Sequence, residues 1–506
     1  MEEIRFGVLQ LEQGKTYGRQ IKSNGKPGKL YFGIVPESKS DIPVKVAYEL
    51  LKTNGKQQIF CNLRKNRFVS YKIIRHSTDE RPIASLVENY GPVDNLDAFV
   101  KYRLAVKGLI LKPKFGKTLT GVLPDIHKDA CDSVQRVNKN IPLPIITIDP
   151  EGCRDIDDGV GLTNNLDGTH TINICITHLP SYLTSPHILQ EELEELLLNP
   201  CSIYLPGNTI HMFDPAFSLP LFSLTEGRTC PVLCLSLTID ETGSIVQRSL
   251  NVQLANVIRN HSYDSEELLK DDSYLDLARL VKLCFNQNPV PMLNSIDDSH
   301  DVVAYLMILM NSYCAQVLSG MKTGLFRKAN PIEDVRLPED LLPLKHIVCN
   351  RASHYVAYSS IVNSPYCHIT SPMRRLPDLI NMIILTKDLY PSNRCSKFDR
   401  ILNNSISNVE TIDRLCKAAK RIGEEANLLH DVHQGNINLD RSYEAVVIEQ
   451  IDQNPNKYNV YVPELARWFK VKTTRTLQLF QKARCSIVSF DNADTSVKKV
   501  RLCLEN

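Results

Sequence analysis

The sequence lacks the cysteine pairs of zinc-binding proteins and the apolar leader of secreted proteins. It contains 15 cysteines, but no two form a zinc-type CxxC pair, and Cys230 and Cys234 are a lone pair four residues apart. An odd number of cysteines in a long chain indicates free thiols in a reducing compartment. The first six residues, MEEIRF, have no apolar stretch of the kind that a secretory signal needs. We therefore expect an intracellular protein, with the cytoplasm as the first expectation and an organelle left open.

The sequence also has little net charge and no long apolar run. Its 59 basic residues are almost balanced by 57 acidic ones. A nucleic-acid enzyme can have this balance, because only its channel needs a positive potential. The most apolar stretch, residues 302–318, is interrupted by Asn311, Ser312 and Gln316, which predicts a buried helix rather than a membrane span. We expect no membrane partner.

The composition is that of a globular protein with several domains. The chain has 506 residues, of which 43% are hydrophobic and 23% charged, and this length predicts about three or four domains. Short apolar runs between turn residues predict small β-barrels at both ends. Strand-like and helix-like patterns mix between them. We predict an α+β fold with an OB-type barrel in residues 1–118, a mixed α/β domain in 119–435 and a second OB-type barrel in 436–506.

Basic residues are concentrated in two parts of the N-terminal half. Lys65 and Arg67 lie close to the aromatic residues Phe60 and Phe68, a mixture that suits single-stranded nucleic acid. Residues 99–140 are also rich in lysine and arginine. A solvated barrel surface and a charged linker would explain the same two patterns, so neither decides the function.

The densest group of chemically active side chains lies between Ile148 and Gly159. Within ten residues this segment carries four aspartates: Asp149, Asp155, Asp157 and Asp158. Pro150 and Gly152 bend the chain directly after a predicted strand, so the later carboxylates return toward the first. Clustered carboxylates are costly in a folded core unless cations neutralise them. The pattern therefore predicts a metal site.

Carboxylate oxygens are hard ligands that favour Mg²⁺, or Mn²⁺ in its place. Two such ions about 3.5–4 Å apart would hold the attacking and leaving oxygens of a phosphodiester. A calcium loop of the EF-hand type is a poorer interpretation, because the segment has no glutamate at the closing position. A solvated acidic turn is poorer too, since apolar runs at 145–148 and 160–162 flank the aspartates.

A second segment, residues 366–380, combines a helix-start signal with two arginines. Ser371 followed by Pro372 is typical of a helix N-terminus and predicts Arg374 and Arg375 in the first turn. Helix N-termini favour phosphate groups, and two cations there are unfavourable unless an external anion binds. Pro377 predicts instead a kink or a helix that begins there. A surface turn with ordinary salt bridges would explain the same residues.

In their order and separation, the acidic turn and the Thr-Ser-Pro-x-Arg-Arg segment together resemble the ribonuclease II (RNB) family. The four aspartates match the family's metal-binding aspartates at the same spacing, and Asp157 is expected to be catalytic. Arg374 matches the arginine that contacts the scissile phosphate and stabilises its developing charge. Tyr204, in the segment IYLPG, matches the tyrosine that stacks on the 3′-terminal base. Arg375 and His368 are further candidates for contact with RNA.

The resemblance implies both a fold and a reaction. An RNB catalytic domain would lie between a cold-shock-like barrel and an S1-like barrel. The reaction would be processive hydrolysis of single-stranded RNA in the 3′-to-5′ direction, releasing nucleoside 5′-monophosphates by two-metal-ion catalysis. Single-stranded RNA is the expected partner, and we expect the monomer to be active.

The sequence departs from the family pattern at several positions. His178 stands where the family usually has an aspartate, and we expect a packed structural histidine there. The stretch between Pro331 and His354 is shorter than usual, so part of the RNA channel wall would be absent. Two other functions stay open: an RNB-fold protein that binds RNA without cutting it, and a metal-dependent endonuclease on a different fold.

Overall fold

The structure is a computed structural model that describes residues 3–48, 51–54, 57–60, 65–75, 81–109, 115–116, 118–328, 338, 341, 354–360, 365–389, 393–451 and 456–505. The chain divides into two compact units. The first contains Met1–Leu111, Tyr204–Asn208 and Lys420–Asn506, and the second contains Lys112–Ile203 and Thr209–Ala419. These boundaries differ from the predicted ones at 118 and 435, because both terminal barrels belong to the same unit. Most of the shortened stretch from Pro331 to His354 lies outside the described residues.

The strands are β1 (Arg5–Leu9), β2 (Thr16–Ile21), β3 (Pro27–Pro36), β4 (Val44–Tyr48), β5 (Leu51–Asn54), β6 (Gln57–Phe60), β7 (Arg67–Arg75), β8 (Ile83–Pro92), β9 (Leu143–Asp149), β10 (Asp158–Asn164), β11 (His170–Thr177), β12 (Ile203–Leu205), β13 (Asn208–Ile210), β14 (Thr229–Ile239), β15 (Ile245–Ser262), β16 (Leu325–Lys328), β17 (His354–Ala357), β18 (Ser442–Gln450), β19 (Lys457–Val462), β20 (Arg467–Lys472), β21 (Lys482–Asp491) and β22 (Lys498–Leu504).

The α-helices are α1 (Leu96–Lys107), α2 (Leu123–Val137), α3 (Leu179–Leu183), α4 (Gln190–Glu194), α5 (Pro215–Phe222), α6 (Asp272–Gln287), α7 (Ser299–Gly320), α8 (Leu376–Leu389), α9 (Asp399–Ser407) and α10 (Val409–Gln434). The predicted mixture of helix and sheet is confirmed.

The N-terminal barrel forms because its short strands alternate between a buried and a solvated face. Strands β1, β7, β8, β4 and β3 pair in that order, and β3 returns to pair with β1. Buried aliphatic and aromatic side chains fill the interior, among them Leu9, Phe32, Ile34 and Val69. The ring of pairings confirms the predicted barrel at this end of the chain.

The C-terminal barrel has five strands in the order β20-β19-β18-β21-β22. Four of these strands are predicted from apolar runs, and β20 is not. Its sequence, RWFKVK, places Phe469 and Val471 in the core while the lysines between and after them face outward. Because the basic residues interrupt the apolar pattern, this strand is recognisable only from its alternation with a period of two.

The second unit is built on a closed five-stranded barrel, β10-β11-β14-β15-β9, in which β15 runs parallel to β9 and the other neighbours are antiparallel. Rows of β-branched and leucine side chains, such as Ile172, Ile174 and Ile176 in β11, fill the core on the side covered by helices. This barrel positions the acidic segment, since the segment connects β9 to β10.

Helix α7 contains the most apolar stretch of the chain. By length and composition alone it could cross a membrane. In the structure its apolar residues, including Val302, Leu306, Met310 and Leu318, are buried in the core of the second unit. The prediction of a buried helix is confirmed.

Candidate active site

The acidic segment lies at one end of the central barrel. Strand β9 ends at Asp149 and β10 begins at Asp158, and the two strands pair as antiparallel neighbours through Ile146 and Val160. The end of one strand and the start of the next are therefore at the same end of the barrel. Residues 150–157 form the connecting loop, in which the Cys153 N–H donates to the Pro150 carbonyl across 3.0 Å.

Ser223 fixes the conformation of this loop. Its hydroxyl accepts a hydrogen bond from the Ile156 N–H at 2.9 Å and donates to the Arg154 carbonyl at 2.6 Å. The next residue, Leu224, donates its N–H to the Ile156 carbonyl at 3.1 Å. Because one hydroxyl satisfies a donor and an acceptor of the loop, the backbone between Arg154 and Ile156 is held in one arrangement.

Asp157 and Arg374, predicted as the catalytic pair, are in contact. The Arg374 Nε lies 3.7 Å from the Asp157 Oδ2, and the Met373 N–H donates to the Asp157 Oδ1 at 3.1 Å. Asp157 is only 4% exposed, whereas the Arg374 side chain is 43% exposed. The structure thus joins two segments about two hundred residues apart in sequence and leaves the guanidinium accessible to a substrate.

The carboxyl groups of the segment are held in an environment that disfavours their charge. Burial, together with the charge of Asp155, raises the pKa of Asp149 to about 6. Burial and the charge of Asp149 raise the pKa of Asp158 to about 7. Burial also raises the pKa of Asp157 well above its ordinary value, although Arg374 and the Met373 N–H oppose the change. The fold therefore brings these carboxyl groups together without enough positive charge of its own.

The donor set fits a divalent cation in its chemistry. The Asp149 Oδ2 is buried and accepts no hydrogen bond, and such an atom costs free energy unless something binds it. A cation near the aspartates would supply the missing charge. Within the described part of the chain, however, no three histidine, cysteine or acidic side chains stand close enough together to be a finished metal site. The aspartates are near one another in sequence, but among the described residues their side chains do not form a complete ligand set.

The arginine segment precedes helix α8 instead of forming its first turn. The helix begins at Leu376, and Arg375 forms an isolated β-bridge with Cys201. The Ser202 N–H donates to the Arg374 carbonyl at 2.9 Å, and the Leu376 N–H donates to the Pro200 carbonyl at 2.8 Å. The prediction of a helix starting at Ser371 is wrong: residues 372–374 form a turn in which the Arg375 N–H donates to the Ser371 carbonyl at 3.0 Å, and the bridge between Arg375 and Cys201 separates this turn from the helix. The alternative start near Pro377 is the better match.

Comparison with known proteins agrees with this geometry. Residues 139–271 match the family model of the RNB domain. The chain carries an RNB domain. Over 103 residues it is 34% identical to exoribonuclease 2 of Edwardsiella piscicida, a stretch that covers 20% of this chain and only 16% of that relative.

Two solved structures share the fold over nearly the whole chain. RNase R of Mycoplasma genitalium, in complex with double-stranded RNA, aligns with a TM-score of 0.65 and 14% identity, over 99% of this chain and 95% of its own. The yeast protein Ssd1, a pseudonuclease, aligns with a TM-score of 0.62 and 13% identity, over 93% of this chain and 65% of its own. Identities this low establish the fold, which an active nuclease and a pseudonuclease share.

Two of the predicted RNA contacts face the interior of the unit that contains the RNB domain. The Arg375 Nη2 lies 2.8 Å from the Asp378 Oδ2, and this fully buried carboxylate also accepts the Ser371 N–H at 2.9 Å. His368 is 9% exposed and is bonded to Arg327 and Tyr355. Direct contact of Arg375 or His368 with RNA stays a prediction.

Tyr204 belongs to the first unit, and its side chain is 48% exposed. Its carbonyl accepts the Asn427 Nδ2 at 3.3 Å, and a Cβ added at Gly423 would approach this carbonyl to 2.7 Å. Helix α10 can therefore pass Tyr204 closely only because residue 423 is glycine. The stacking of Tyr204 on a terminal base stays a prediction.

His178 is the packed structural histidine that we expect at the position of the usual RNB aspartate. It is 1% exposed. Its Nδ1 lies 2.7 Å from the Ser181 hydroxyl and its Nε2 lies 2.8 Å from the Thr386 hydroxyl. Since Thr386 donates its own hydrogen to the Met382 carbonyl, the imidazole proton is on Nε2. Burial lowers the pKa of His178 to about 3, so the ring is neutral and joins α3 to α8.

Sequence reasoning misses other residues of the site. Tyr263 follows β15, its N–H donates to the Asp149 carbonyl at 3.0 Å, and its ring stacks on His300 with centroids 3.8 Å apart. Arg327 and Tyr355 lie opposite each other in the two-stranded sheet of β16 and β17, and both contact His368. A single sequence offers no signal for these residues, because they reach the site through tertiary pairing.

Proposed function

We propose that this protein hydrolyses single-stranded RNA from the 3′ end and releases nucleoside 5′-monophosphates, with Mg²⁺ as the cofactor and Mn²⁺ as a possible substitute. The observation that carries the proposal is the contact between Arg374 and the buried Asp157. A guanidinium beside a group of carboxylates is the arrangement needed to hold a phosphodiester between a cation site and a positive side chain. The RNB domain supports nuclease chemistry in general.

In this proposal Asp149, Asp155, Asp157 and Asp158 hold the cation site. Bound magnesium would neutralise the phosphate and lower the pKa of a water molecule that acts as the nucleophile. Asp157 has a second task, because it orients the Arg374 guanidinium and is itself oriented by the Met373 N–H. Arg374 donates to the phosphate oxygens as negative charge develops on them.

The remaining residues would bind the RNA strand. Tyr204 would stack on the terminal base, a contact worth about 1–3 kcal/mol per base. The terminal barrels would grip the incoming strand, and the monomer would be sufficient for activity. We place the protein inside the cell, with the cytoplasm as the preferred compartment and an organelle as the alternative. We expect no membrane partner. Fractionation of tagged protein and gel filtration against standards test the location and the monomeric state.

A second candidate function is RNA binding without cleavage. Two observations favour it: the aspartate side chains do not form a closed ligand group in the described part of the chain, and a pseudonuclease shares the fold. The raised pKa values of Asp149 and Asp158 favour the enzyme, since a protein that only binds RNA gains nothing from partly buried carboxyl groups beside a phosphate site.

The deciding experiment incubates the protein with single-stranded RNA labelled in its internucleotide phosphates, in Mg²⁺ and in EDTA. Release of nucleoside 5′-monophosphates in Mg²⁺ alone, abolished by Asp157→Asn, supports the exonuclease. The matched control is Glu151→Gln, which removes an exposed carboxylate of the same loop and should cleave normally. RNA retained intact by the wild type supports the binding protein, and internal fragments support an endonuclease.

A further inference from the structure

The guanidinium of Arg228 connects helix α2 to the turn that holds the acidic loop. Its Nη2 lies 3.2 Å from the His127 Nδ1, and its Nη1 donates to the Ser223 carbonyl at 3.4 Å. The Arg228 N–H donates to the Thr225 carbonyl at 3.2 Å, and its carbonyl accepts the Val257 N–H at 2.9 Å. The backbone of Arg228 is therefore fixed, and its side chain spans the distance from α2 to Ser223.

The peptide group between Ser223 and Leu224 transmits this contact to the acidic loop. Its carbonyl accepts from Arg228 and also from the Thr225 N–H at 2.9 Å. Its N–H, which belongs to Leu224, donates to the Ile156 carbonyl at 3.1 Å. A peptide group is planar and trans, so its C=O and N–H point in opposite directions. A bond that holds the carbonyl therefore also directs the N–H toward Ile156.

The backbone beside Asp157 is held from two sides. The Thr177 N–H, at the end of β11, donates to the Asp157 carbonyl at 2.8 Å. On the other side, Ser223 accepts the Ile156 N–H through its hydroxyl at 2.9 Å. The turn at Ser223 is thus one of the two supports of the acidic loop, and Arg228 is the side chain that ties this turn to α2.

The ring of His127 has one nitrogen for each of two neighbours. Because a guanidinium only donates, Nδ1 accepts from Arg228, and the proton of the neutral ring is on Nε2. This Nε2 lies 3.7 Å from the Cys131 Sγ, one turn further along α2. Burial and the charge of Arg228 lower the pKa of His127, which keeps the ring neutral near pH 7. Its Nδ1 is therefore an acceptor that orients the guanidinium.

We propose that His127 and Arg228 are positioning residues for the acidic loop: they hold the peptide between Ser223 and Leu224 so that the backbone before Asp157 stays in one arrangement. This inference rests on the proposed function for the role of that loop in binding Mg²⁺. Both residues act through the backbone of the loop and not by contact with RNA or with the cation. Carboxylates on a loop that is held in place need less ordering when a cation binds, so loss of this support should weaken Mg²⁺ binding.

The test compares two substitutions of His127 in the full chain. His127→Asn keeps an acceptor, because the amide oxygen takes a place close to that of Nδ1, whereas His127→Leu removes it. Hydrogen–deuterium exchange in EDTA measures the amides of residues 153–157 without metal or RNA. In His127→Leu we expect this loop to exchange about three- to tenfold faster, as for one lost hydrogen bond. His127→Asn should exchange at close to the wild-type rate, and the C-terminal barrel should be unchanged in both.

Calorimetric titration of the same proteins with Mg²⁺ gives the second readout. We expect Mg²⁺ to bind about tenfold more weakly to His127→Leu, the lower end of the effect of removing an outer partner of metal ligands, and His127→Asn to restore the affinity. Binding of single-stranded RNA in EDTA should be the same in all variants. A residue that only stabilised the fold would not change loop exchange and Mg²⁺ affinity while distant amides and RNA binding stay as they are.

Two further variants complete the experiment. Cys131→Ala is the matched control, because it removes the contact of the same imidazole at Nε2 and leaves the bond at Nδ1. It should behave as the wild type in both measurements. If the melting curve shows that His127→Leu does not fold, Arg228→Lys takes its place, since one ammonium group cannot reach His127 and Ser223 as the two Nη atoms do.

Wild-type exchange of the loop in a folded His127→Leu overturns the proposal, and so does an unchanged Mg²⁺ affinity where the wild type binds Mg²⁺. Failure of His127→Asn to restore slow exchange, equal effects of Cys131→Ala, and loss of folding in both His127→Leu and Arg228→Lys also overturn it. The outcome is separable from that of the nuclease proposal. A wild type that never cleaves RNA, with fast loop exchange in His127→Leu, contradicts the nuclease and leaves the positioning role standing. A cleaving wild type with unchanged loop exchange in His127→Leu does the opposite.

Discussion

The acidic loop and the arginine segment meet at Asp157, and they differ in how their charges are balanced. In the loop, Asp149 and Asp158 have raised pKa values, and one oxygen of Asp149 has no hydrogen bond. In the arginine segment, Arg374 contacts Asp157 and Arg375 contacts Asp378, and His368 is kept neutral. In the proposed function, the first region holds a cation and the second contacts an anion. A phosphate bound to the metal would balance the charges of both regions. The 3.7 Å contact between Arg374 and Asp157 does not balance them by itself.

The first prediction removes the carboxylate of the ion pair between Arg375 and Asp378 in the arginine segment. Asp378→Asn should lower the free energy of unfolding by about 3–5 kcal/mol, because the Arg375 charge is left without its buried partner. Denaturant melts of wild type and variant measure the difference. Asp399→Asn is the control: its partner Lys387 is on the same helix α8 but the pair is solvated, so its loss should cost no more than about 1 kcal/mol. Equal effects would show that Asp378 does not balance Arg375.

The second prediction removes the positive side of the shared contact. Arg374→Gln should lower kcat for RNA hydrolysis about 100- to 1000-fold, the usual effect of removing one donor that stabilises charge in the transition state. Single-turnover assays in Mg²⁺ give the rate, and binding in EDTA separates it from affinity. A variant that binds RNA more weakly but keeps the wild-type rate at saturation would contradict the assigned role, since Arg374 would then contribute uniform binding.

The third prediction concerns the acidic loop without metal. The pKa values of Asp149 and Asp158 are raised above the ordinary value near 4, to about 6 and about 7. In EDTA, the folded protein therefore binds more protons than the unfolded chain. Stability from these groups is therefore full at low pH and lost as the pH rises through 6 and 7. Mg²⁺ should raise Tm by about 3–5 °C at pH 8 and much less at pH 5.5.

Thermal melts with EDTA and with Mg²⁺ at both pH values provide the measurement. The double variant Asp149→Asn, Asp158→Asn should lose both the pH dependence and the response to Mg²⁺, while Glu151→Gln should keep them. A Mg²⁺ effect of the same size at both pH values would contradict the assignment of these carboxyl groups to the cation site.

The fourth prediction concerns the buried histidine His178. The pKa of His178 is lowered by burial alone to about 3, so its contribution to stability is full above the unfolded value near 6.5 and lost as the pH falls from there toward 3. Between pH 6.5 and 5 this loss amounts to about 2 kcal/mol. His178→Gln, which keeps an amide able to bond Thr386, should lack that part of the acid sensitivity in denaturant melts. An unchanged pH profile would mean that another group causes it.

The sequence indicates much of this arrangement, for reasons that can be named. The apolar run before Asp149 and the turn residues Pro150 and Gly152 predict a strand that ends in a folded-back loop, and the loop has this form. The terminal barrels follow from their alternating runs. By contrast, the helix start expected at Ser371 is displaced to Leu376 by strand-like pairing with residues 200–202, which no local pattern can indicate.

By itself, then, the sequence determined the composition of the site: four carboxylates in one turn, two arginines in another, and strands on either side to support them. These features are local, because propensity and spacing act over a few residues. Only the tertiary structure decided that Arg374 reaches Asp157, that Arg375 is occupied by Asp378, and that Arg327 and Tyr355 join His368. Those contacts depend on how distant strands and helices pack, and packing is a property of the whole core.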